Sequence, residues 1–494
     1  MVRRARELIK SKGLLSEPSP RKGKTLSKEL EEKVIRFFCD DRYSRMLPGQ
    51  KDKVSIAKNV YKQKRLLLST VNELHVEFKK RHPSSIDKIG ISKFTSLRPK
   101  WCVSAGSSQT HSVCVCTIHQ NVKLLLDAAH FEESYRDLIK ILICGDERRD
   151  CLLLKCDQCP KQDYLTTLLL SKFEDEHDTI TFKEWVSVDR TQLITGQLPV
   201  HEFIDLIVEK LVKLTPHSFI AKEQSNYLKA RKENLDKDSV VVLLDFSENY
   251  AFRYQDEVQS YHWSHDYCSV HPAVCYYIDN DGKLGNFNMC YLSAELQHDV
   301  AFVYSIQIEL TKFIRVNLPH IENVEYFSDG CAAQYKNCSN FLNLCKHKSD
   351  FKLNATWSFF ATSHGKSPCD GIGGTVKRAT THESLRRPLR DQICNVDDMI
   401  SFCSSSLKSI RFFKLSKGGI RLQRDDPKIR FRNANTIKGT RGYHFFEPLG
   451  DHSIGMKHVS NQPSFSYTYS FKDSFSQQVK LRRGDYVAVA YDQK

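Results

Sequence analysis

Val240-Val241-Val242-Leu243-Leu244-Asp245 is an unbroken run of aliphatic residues that ends on an acid. Such a run reads as a strand buried on both faces, at the centre of a sheet covered by helices. A carboxylate in that position is delivered to one edge of the sheet. Working outward, 270–278 and 284–292 are β-rich runs joined by Asn280-Asp281-Gly282, a strong hairpin signal. A helical pattern with Val300, Val303, Ile306, Ile308, Leu310 and Phe313 follows. Then come a strand at 324–327, a helix around 332–345, a strand at 355–361 and a last helix. The order β-β-β-α-β-α-β-α predicts a mixed α/β (α+β) domain, closed by a stretch at 386–416 that is helical and then extended.

Two more aspartates stand where a strand ends or shortly after one: Asp329 in Tyr326-Phe327-Ser328-Asp329-Gly330, and Asp370 in Ser367-Pro368-Cys369-Asp370-Gly371. A single Asp-Gly is ordinarily a turn or a helix cap. Three acids in register with the strand order are another matter, because carboxylates gathered at one sheet edge can hold two divalent ions for phosphodiester chemistry. The glycines after Asp370 would let backbone approach a phosphate closely.

This order, with its acids after the first strand, at the end of the fourth and just before the last helix, resembles the ribonuclease H-like fold. The likeness covers 239–385 and is most specific to the DDE/D transposase and integrase group. The words Asp245-Phe246-Ser247-Glu248-Asn249-Tyr250, Ser328-Asp329-Gly330-Cys331-Ala332-Ala333-Gln334-Tyr335-Lys336-Asn337 and His364-Gly365-Lys366-Ser367-Pro368-Cys369-Asp370-Gly371-Ile372-Gly373-Gly374 look like those of transposon-derived proteins in animal genomes. The resemblance implies a DDE-type DNA transposase dependent on Mg²⁺ or Mn²⁺. Asp245 would bridge both ions, and Asp329 and Asp370 would each complete one shell, with Glu383 as the alternative third acid. It also implies double-stranded DNA as partner and assembly into a homo-oligomer. Lys336, Asn337, Lys366, Lys377 and Arg378 would flank the scissile phosphates and position the backbone without reading sequence. A solvated helix face accounts for the same residues, and His364 reads as a structural histidine or one orienting a metal-bound water.

Cysteine is the second theme. Cys114-Val115-Cys116-Thr117-Ile118-His119 and Cys151 to Cys159 carry short C-x2-H and C-x2-C hooks, which let two ligands reach one ion without strain. Cys116, His119, Cys156 and Cys159 make the simplest four-ligand zinc set, while Cys114, Cys144 and Cys151 could supply most of a second. Since no glutamate stands beside the hooks as a general base, the expected zinc is structural. Cys268, Cys275, Cys290, Cys338 and Cys345 fall within strands and helices and read as core residues.

Of the 494 residues, 74 are Lys or Arg and 59 Asp or Glu, and the first hundred residues alone account for the whole excess of +15. A basic end ahead of a balanced body suggests a nucleic-acid-binding module. No apolar segment follows Met1-Val2-Arg3-Arg4-Ala5-Arg6, and no run suits a membrane helix. Seventeen cysteines without a secretion signal favour reduced thiols and metal ligation. With the basic clusters at 3–6 and 21–24, a nuclear location is expected.

The expected organisation is a basic disordered leader (1–26), a helical module compatible with a helix-turn-helix-like DNA reader and equally with plain helical packing (27–101), a zinc-binding segment (102–160), a helical linker (161–238), the catalytic domain (239–416) and a β-rich tail (417–494). Within these, 54–81 reads as one helix, and a helix from 200 to 214 is followed by another after Pro216. The tail ends on an apolar run, 484–494, resembling the start of a truncated small barrel. Two other functions fit the same sequence: a catalytically inactive, domesticated nuclear zinc protein that binds DNA or chromatin, and a metal-dependent nuclease.

Overall fold

A computed structural model describes residues 26–47, 52–57, 60–83, 89–104, 115–144, 148–160, 162–175, 177–255, 257–262, 264–425 and 434–471. The basic leader as far as residue 25, Cys114 and the 484–494 strand lie outside these residues. The chain forms two compact units, 1–115 and 116–494.

The first unit is mixed, not purely helical as expected. It contains α1 (Lys28–Cys39), β1 (Ser44–Met46), β2 (Lys53–Ala57), β3 (Val60–Gln63), β4 (Arg65–Leu67), α2 (Val71–Arg81), α3 (Ile91–Ser96) and β5 (Cys102–Val103). β1, β4 and β5 form one sheet, and β2 pairs with β3. The single helix expected over 54–81 therefore exists only from Val71 onward. Val54, Ile56, Val60 and Tyr61 are residues that favour a pleated strand, and pairing decided the matter over a loose helical period. Thr70 starts the helix by a capping box with Glu73. The core gathers Val34, Phe38, Leu74, Phe78 and Phe94.

The second unit opens with α4 (Thr117–Ala128), α5 (Tyr135–Leu142), α6 (Arg149–Leu152) and α7 (Gln162–Leu170). β6 (Thr179–Ser187) and β7 (Thr191–Pro199) form a hairpin that leads into α8 (Val200–Glu233). The two helices expected around Pro216 are one helix of 34 residues, about 50 Å long. Proline removes one intrahelical donor, and burial on both sides of it keeps the helix continuous. Val200, Phe203, Ile204, Ile207, Leu211 and Leu214 share a core with Val122, Leu125, Leu138, Leu142, Leu165 and Leu169. The expected zinc segment is thus divided: its start, Cys102–Val103, belongs to the first unit, while the part from 117 onward shares one packed body with the first half of the linker. Further along, Gln224, Tyr227 and Arg231 reach the main sheet. Gln224 Nε2 donates to the Phe359 carbonyl at 2.9 Å, and Arg231 Nε pairs with both oxygens of Glu325 at 2.9 Å.

That sheet contains β8 (Ser239–Leu244), the short β9 (Tyr250–Ala251), β10 (Tyr267–Ile278), β11 (Leu284–Ser293), β12 (Asn323–Ser328) and β13 (Asn354–Phe359). Its helices are a single turn α9 (Gln259–His262), α10 (Val300–Asn317), α11 (Cys338–Phe351), α12 (Pro368–Arg386) and α13 (Val396–Ser406). β14 (Ile410–Lys414), α14 (Lys417–Asp425), β15 (Phe445–Gly450), β16 (Ser453–Lys457) and β17 (Tyr467–Ser470) complete it. The strand order is β14-β11-β10-β8-β12-β13-β15-β16-β17. β10 runs antiparallel to β8 and β11, whereas β12 is parallel to β8 and β13. Strands from the expected tail extend the same sheet through β15 instead of standing apart. Every residue of β8 is buried. Val240, Val242 and Leu244 face the core under α10 and α11, while Val241 and Leu243 face the one under α12 and α13. No helix among the described residues is long and apolar enough to cross a membrane.

Candidate metal and acidic centres

The acidic centre lies at the carboxyl ends of the adjacent parallel strands β8 and β12. Asp245 directly follows β8 and its backbone N–H donates to the Pro272 carbonyl at 3.4 Å. Asp329 directly follows β12, and the Cys331 N–H donates to its Oδ1 at 3.2 Å. Asp370 occupies the third position of α12. There its Oδ2 accepts the Ser367 N–H at 2.8 Å and completes a capping box, with Pro368 in the first turn. Helix α12 is seated by its small residues. A Cβ on Gly373 would stand 2.9 Å from Ser247 Oγ and 3.3 Å from Pro272 Cγ, and buried Cys369 lies 3.6 Å from the Leu243 carbonyl.

Burial, and then the charges of Asp329 and Asp370, push the Asp245 carboxyl up from 3.8 to about 7. Burial raises Asp329 as well. Beneath them, Tyr335 and His271 are fully buried and bonded Oη to Nε2 at 2.7 Å. Glu383, the alternative third acid, is about 19 Å further along the α12 axis than Asp370. It is paired with Arg386 and Arg387 and takes no part here.

Of the residues expected to meet phosphate, Lys336 and Asn337 are held inside the fold, and Lys377 Nζ donates to the Glu248 carbonyl at 3.2 Å. Lys336 is buried, its Nζ 3.3 Å from the Arg441 carbonyl and over the Phe359 ring, and burial lowers it to about 7. Asn337 caps α11 by accepting the Asn340 N–H at 2.9 Å. Lys366 and Arg378 are exposed and Lys377 is half-buried. Lys377 and Arg378 line a groove of about 710 Å³ together with Arg253 and His382, between α12 and the 248–253 segment.

The cysteine hooks do not pair as their spacing suggested. Cys144, Cys151, Cys156 and Cys159 form one group, and Cys116 and His119 join His217 and His364 in another. Within each group all ligand atoms lie within 4.8 Å of one another. The C-x2-H hook opens α4, which packs on α8, so it meets His217 of α8 and not the C-x2-C hook. In the four-cysteine group, Cys144 Sγ is 3.8 Å from Cys156 Sγ and 3.6 Å from Cys159 Sγ. Four sulfurs at about 2.3 Å from a tetrahedral zinc are separated by about 3.8 Å, so this group can bind a structural metal such as zinc. Burial raises the Cys159 thiol to about 12, so metal binding there must expel a proton. Burial lowers His119 and His217 to about 4 and keeps both imidazoles neutral. The three aspartates do not close into so tight a group. No spacing signal marked His217, and His364 was visible only as a neighbour of Asp370.

Residues 224–460 match the family model described as Domain of unknown function (DUF8701). Residues 25–106 match Domain of unknown function (DUF8699), and 117–215 match Domain of unknown function (DUF8700). No curated protein and no solved structure matches the chain. The 25–106 match lies within the first compact unit, the 117–215 match falls on the α4–α8 body and the 224–460 match on the main sheet. His217 falls between those two, on the helix that joins them.

Proposed function

We propose that this protein is a DDE-type polynucleotidyl transferase of the ribonuclease H-like group, a transposon-derived transposase acting on double-stranded DNA. The observation that carries the reading is that Asp245 and Asp329 end two adjacent parallel strands, that Asp370 starts a helix, and that the charges of Asp329 and Asp370 act on Asp245. Support comes also from the order β11-β10-β8-β12-β13, antiparallel on one side of β8 and parallel on the other. Sheets of this kind bind ligands outside the carboxyl ends of their strands.

The donor set suits hard cations. Asp245 is largely buried, and the charges acting on it are the other two carboxylates, a state that a bound cation or a proton must relieve. Two Mg²⁺ or Mn²⁺ ions about 4 Å apart, with oxygen ligands and retained waters, would activate the attacking oxygen and stabilise the leaving one. Such a pair spreads its outer ligands, so the carboxylates need not be as close as the thiols of a zinc site. The chain's own part is to hold Asp245 and Asp329 rigidly at strand ends and to orient Asp370 through its cap. Arg253, Lys377 and Arg378 supply positive charge for the phosphate backbone.

The test is cleavage and strand transfer on the element's own terminal repeats with Mg²⁺ or Mn²⁺. Asp245→Asn, Asp329→Asn and Asp370→Asn should each abolish it while DNA binding persists. One observation favours a non-catalytic nuclear DNA- or chromatin-binding zinc protein: Asp370 is already employed as a helix cap, which needs no metal. That reading requires that Mg²⁺ and Mn²⁺ leave the thermal stability of the wild type no more changed than that of the three variants.

A further inference from the structure

We propose that Cys116, His119, His217 and His364 hold a zinc ion whose grip fixes the connection from β13 to α12, and with it the start of the helix carrying Asp370. The four donors come from three separate parts of the unit. Cys116 is the residue before α4, His119 lies in its first turn, His217 is midway along α8, and His364 follows β13. Cys116 Sγ is 3.2 Å from His217 Nε2. The imidazole centroids of His119, His217 and His364 are 5.0–5.3 Å apart and their planes cross at 54–67°. The rings are splayed around a common centre, not stacked. In a tetrahedral site with nitrogens at about 2.0 Å and sulfur at about 2.3 Å, neighbouring donors lie roughly 3.3–3.6 Å apart.

The set also lacks what an ordinary buried histidine cluster has. His119 Nδ1 and His364 Nε2 are buried without a hydrogen-bond partner. Buried ring nitrogens are normally satisfied, so these two call for a ligand. The turn that presents His364 is itself unusual: Ser363 has φ 62°, in the left-handed region that a non-glycine residue adopts at a cost, and the His364 N–H returns to the Ala361 carbonyl at 2.9 Å.

The position of His364 gives the ion its consequence. Its neighbour Gly365 lies over Asp329, where an added Cβ would stand 3.4 Å from the Asp329 Cβ. Ser367, three residues on, caps α12 and receives Asp370. Metal at this centre ties α4 and α8 to the short segment that leaves β13, passes Asp329 and leads to Asp370. Occupancy by zinc stands without the catalytic reading. The positioning of Asp370 for metal chemistry rests on that reading.

The experiment uses the full chain purified with zinc, elemental analysis for zinc per chain, and hydrogen exchange of peptides covering 361–372. The wild type should carry two zinc ions, one for each group. His364→Gln should carry one and exchange faster over 361–372. Cys156→Ser should also carry one, with exchange over 361–372 unchanged. His364→Cys keeps a ligand and should retain both ions. Replacing zinc by cobalt in it should strengthen the thiolate charge-transfer band relative to the wild type, which guards against a His364→Gln protein that merely fails to fold. Two zinc ions in folded His364→Gln, one in His364→Cys, or unaltered exchange after loss of this ion would overturn the proposal. Absence of DNA cleavage by the wild type, with the zinc results as expected, would instead count against the catalytic reading alone.

Discussion

Gly373 of α12 lies so close to Ser247, in the segment leaving β8, that a Cβ on it would stand 2.9 Å from the Ser247 hydroxyl. Only a glycine lets this helix settle where Asp370 comes within electrostatic reach of Asp245. Gly373→Ala should overpack the contact and lower stability by about 1–3 kcal/mol, as chemical denaturation would measure. Gly374, with nothing within 4 Å, is the control: Gly374→Ala should gain up to about 1 kcal/mol from helix propensity. Adding Ser247→Gly to Gly373→Ala should recover most of the loss. If the double variant is no better than Gly373→Ala, the close contact is not what the glycine serves.

The pH dependence of stability has a definite sign. Asp245 has a carboxyl pKa raised from 3.8 to about 7, first by burial and then by Asp329 and Asp370. Between those values the folded protein keeps a proton that the unfolded chain has released. Stability should therefore fall as pH rises through that window, with the loss complete above it. Asp245→Asn should flatten the profile and raise the Tm at about pH 8 in the presence of a chelator. Mg²⁺ or Mn²⁺ should stabilise the wild type more at the alkaline end and leave the variant unmoved. Superimposable Tm profiles for the two proteins would show that Asp245 bears no buried charge.

Metal at the four-cysteine group should be separable from the fold of the main sheet. Cys151 is fully buried in the α4–α8 core, whereas Cys156 is only partly buried. Cys156→Ser should release one zinc per chain and loosen 144–159, while exchange in β8 and β12 stays slow. Wild-type zinc content in Cys156→Ser would exclude it as a ligand.

Arg253, Lys377 and Arg378 share a groove beside α12. If DNA backbone lies there, Arg378→Ala should weaken binding about equally for all sequences and reduce the salt slope of log K by about 1. Lys336→Ala, by contrast, should cost stability and leave the slope intact, because that side chain is buried. An unchanged slope for Arg378→Ala would place the DNA elsewhere.

Gln224 ties α8 to the main sheet through the Phe359 carbonyl, the Ser460 hydroxyl and the Ser460 N–H, each at 2.9 Å. Gln224→Ala orphans these buried groups and should cost about 1–3 kcal/mol in thermal or chemical unfolding. A loss much below that range would mean that water replaces the amide.

Local chemistry made much of this protein legible in its sequence. The aliphatic run at 240–244, the Asn280-Asp281-Gly282 turn and the periodic α10 pattern each encode their element within a few residues. Ser367-Pro368-Cys369-Asp370 likewise marks a helix start, since cap, proline and third-position acid act over one turn. The reading failed where short-range preferences were weak or misleading. Over 53–67 a loose helical period masked strands that exist by pairing, and at Pro216 a local breaker was overruled by burial along both halves of α8.

Sequence alone determined that Asp245, Asp329 and Asp370 follow or closely approach strand ends, and that the cysteine hooks are spaced for metal. Their partners were decided only by tertiary structure. Cys116 and His217 meet across 101 residues because α4 packs on α8, and His364 joins them from beyond the sheet. Spacing records which ligands can share one turn of chain. It holds no record of which distant helices share a core, and that packing redistributed the hooks and buried Lys336.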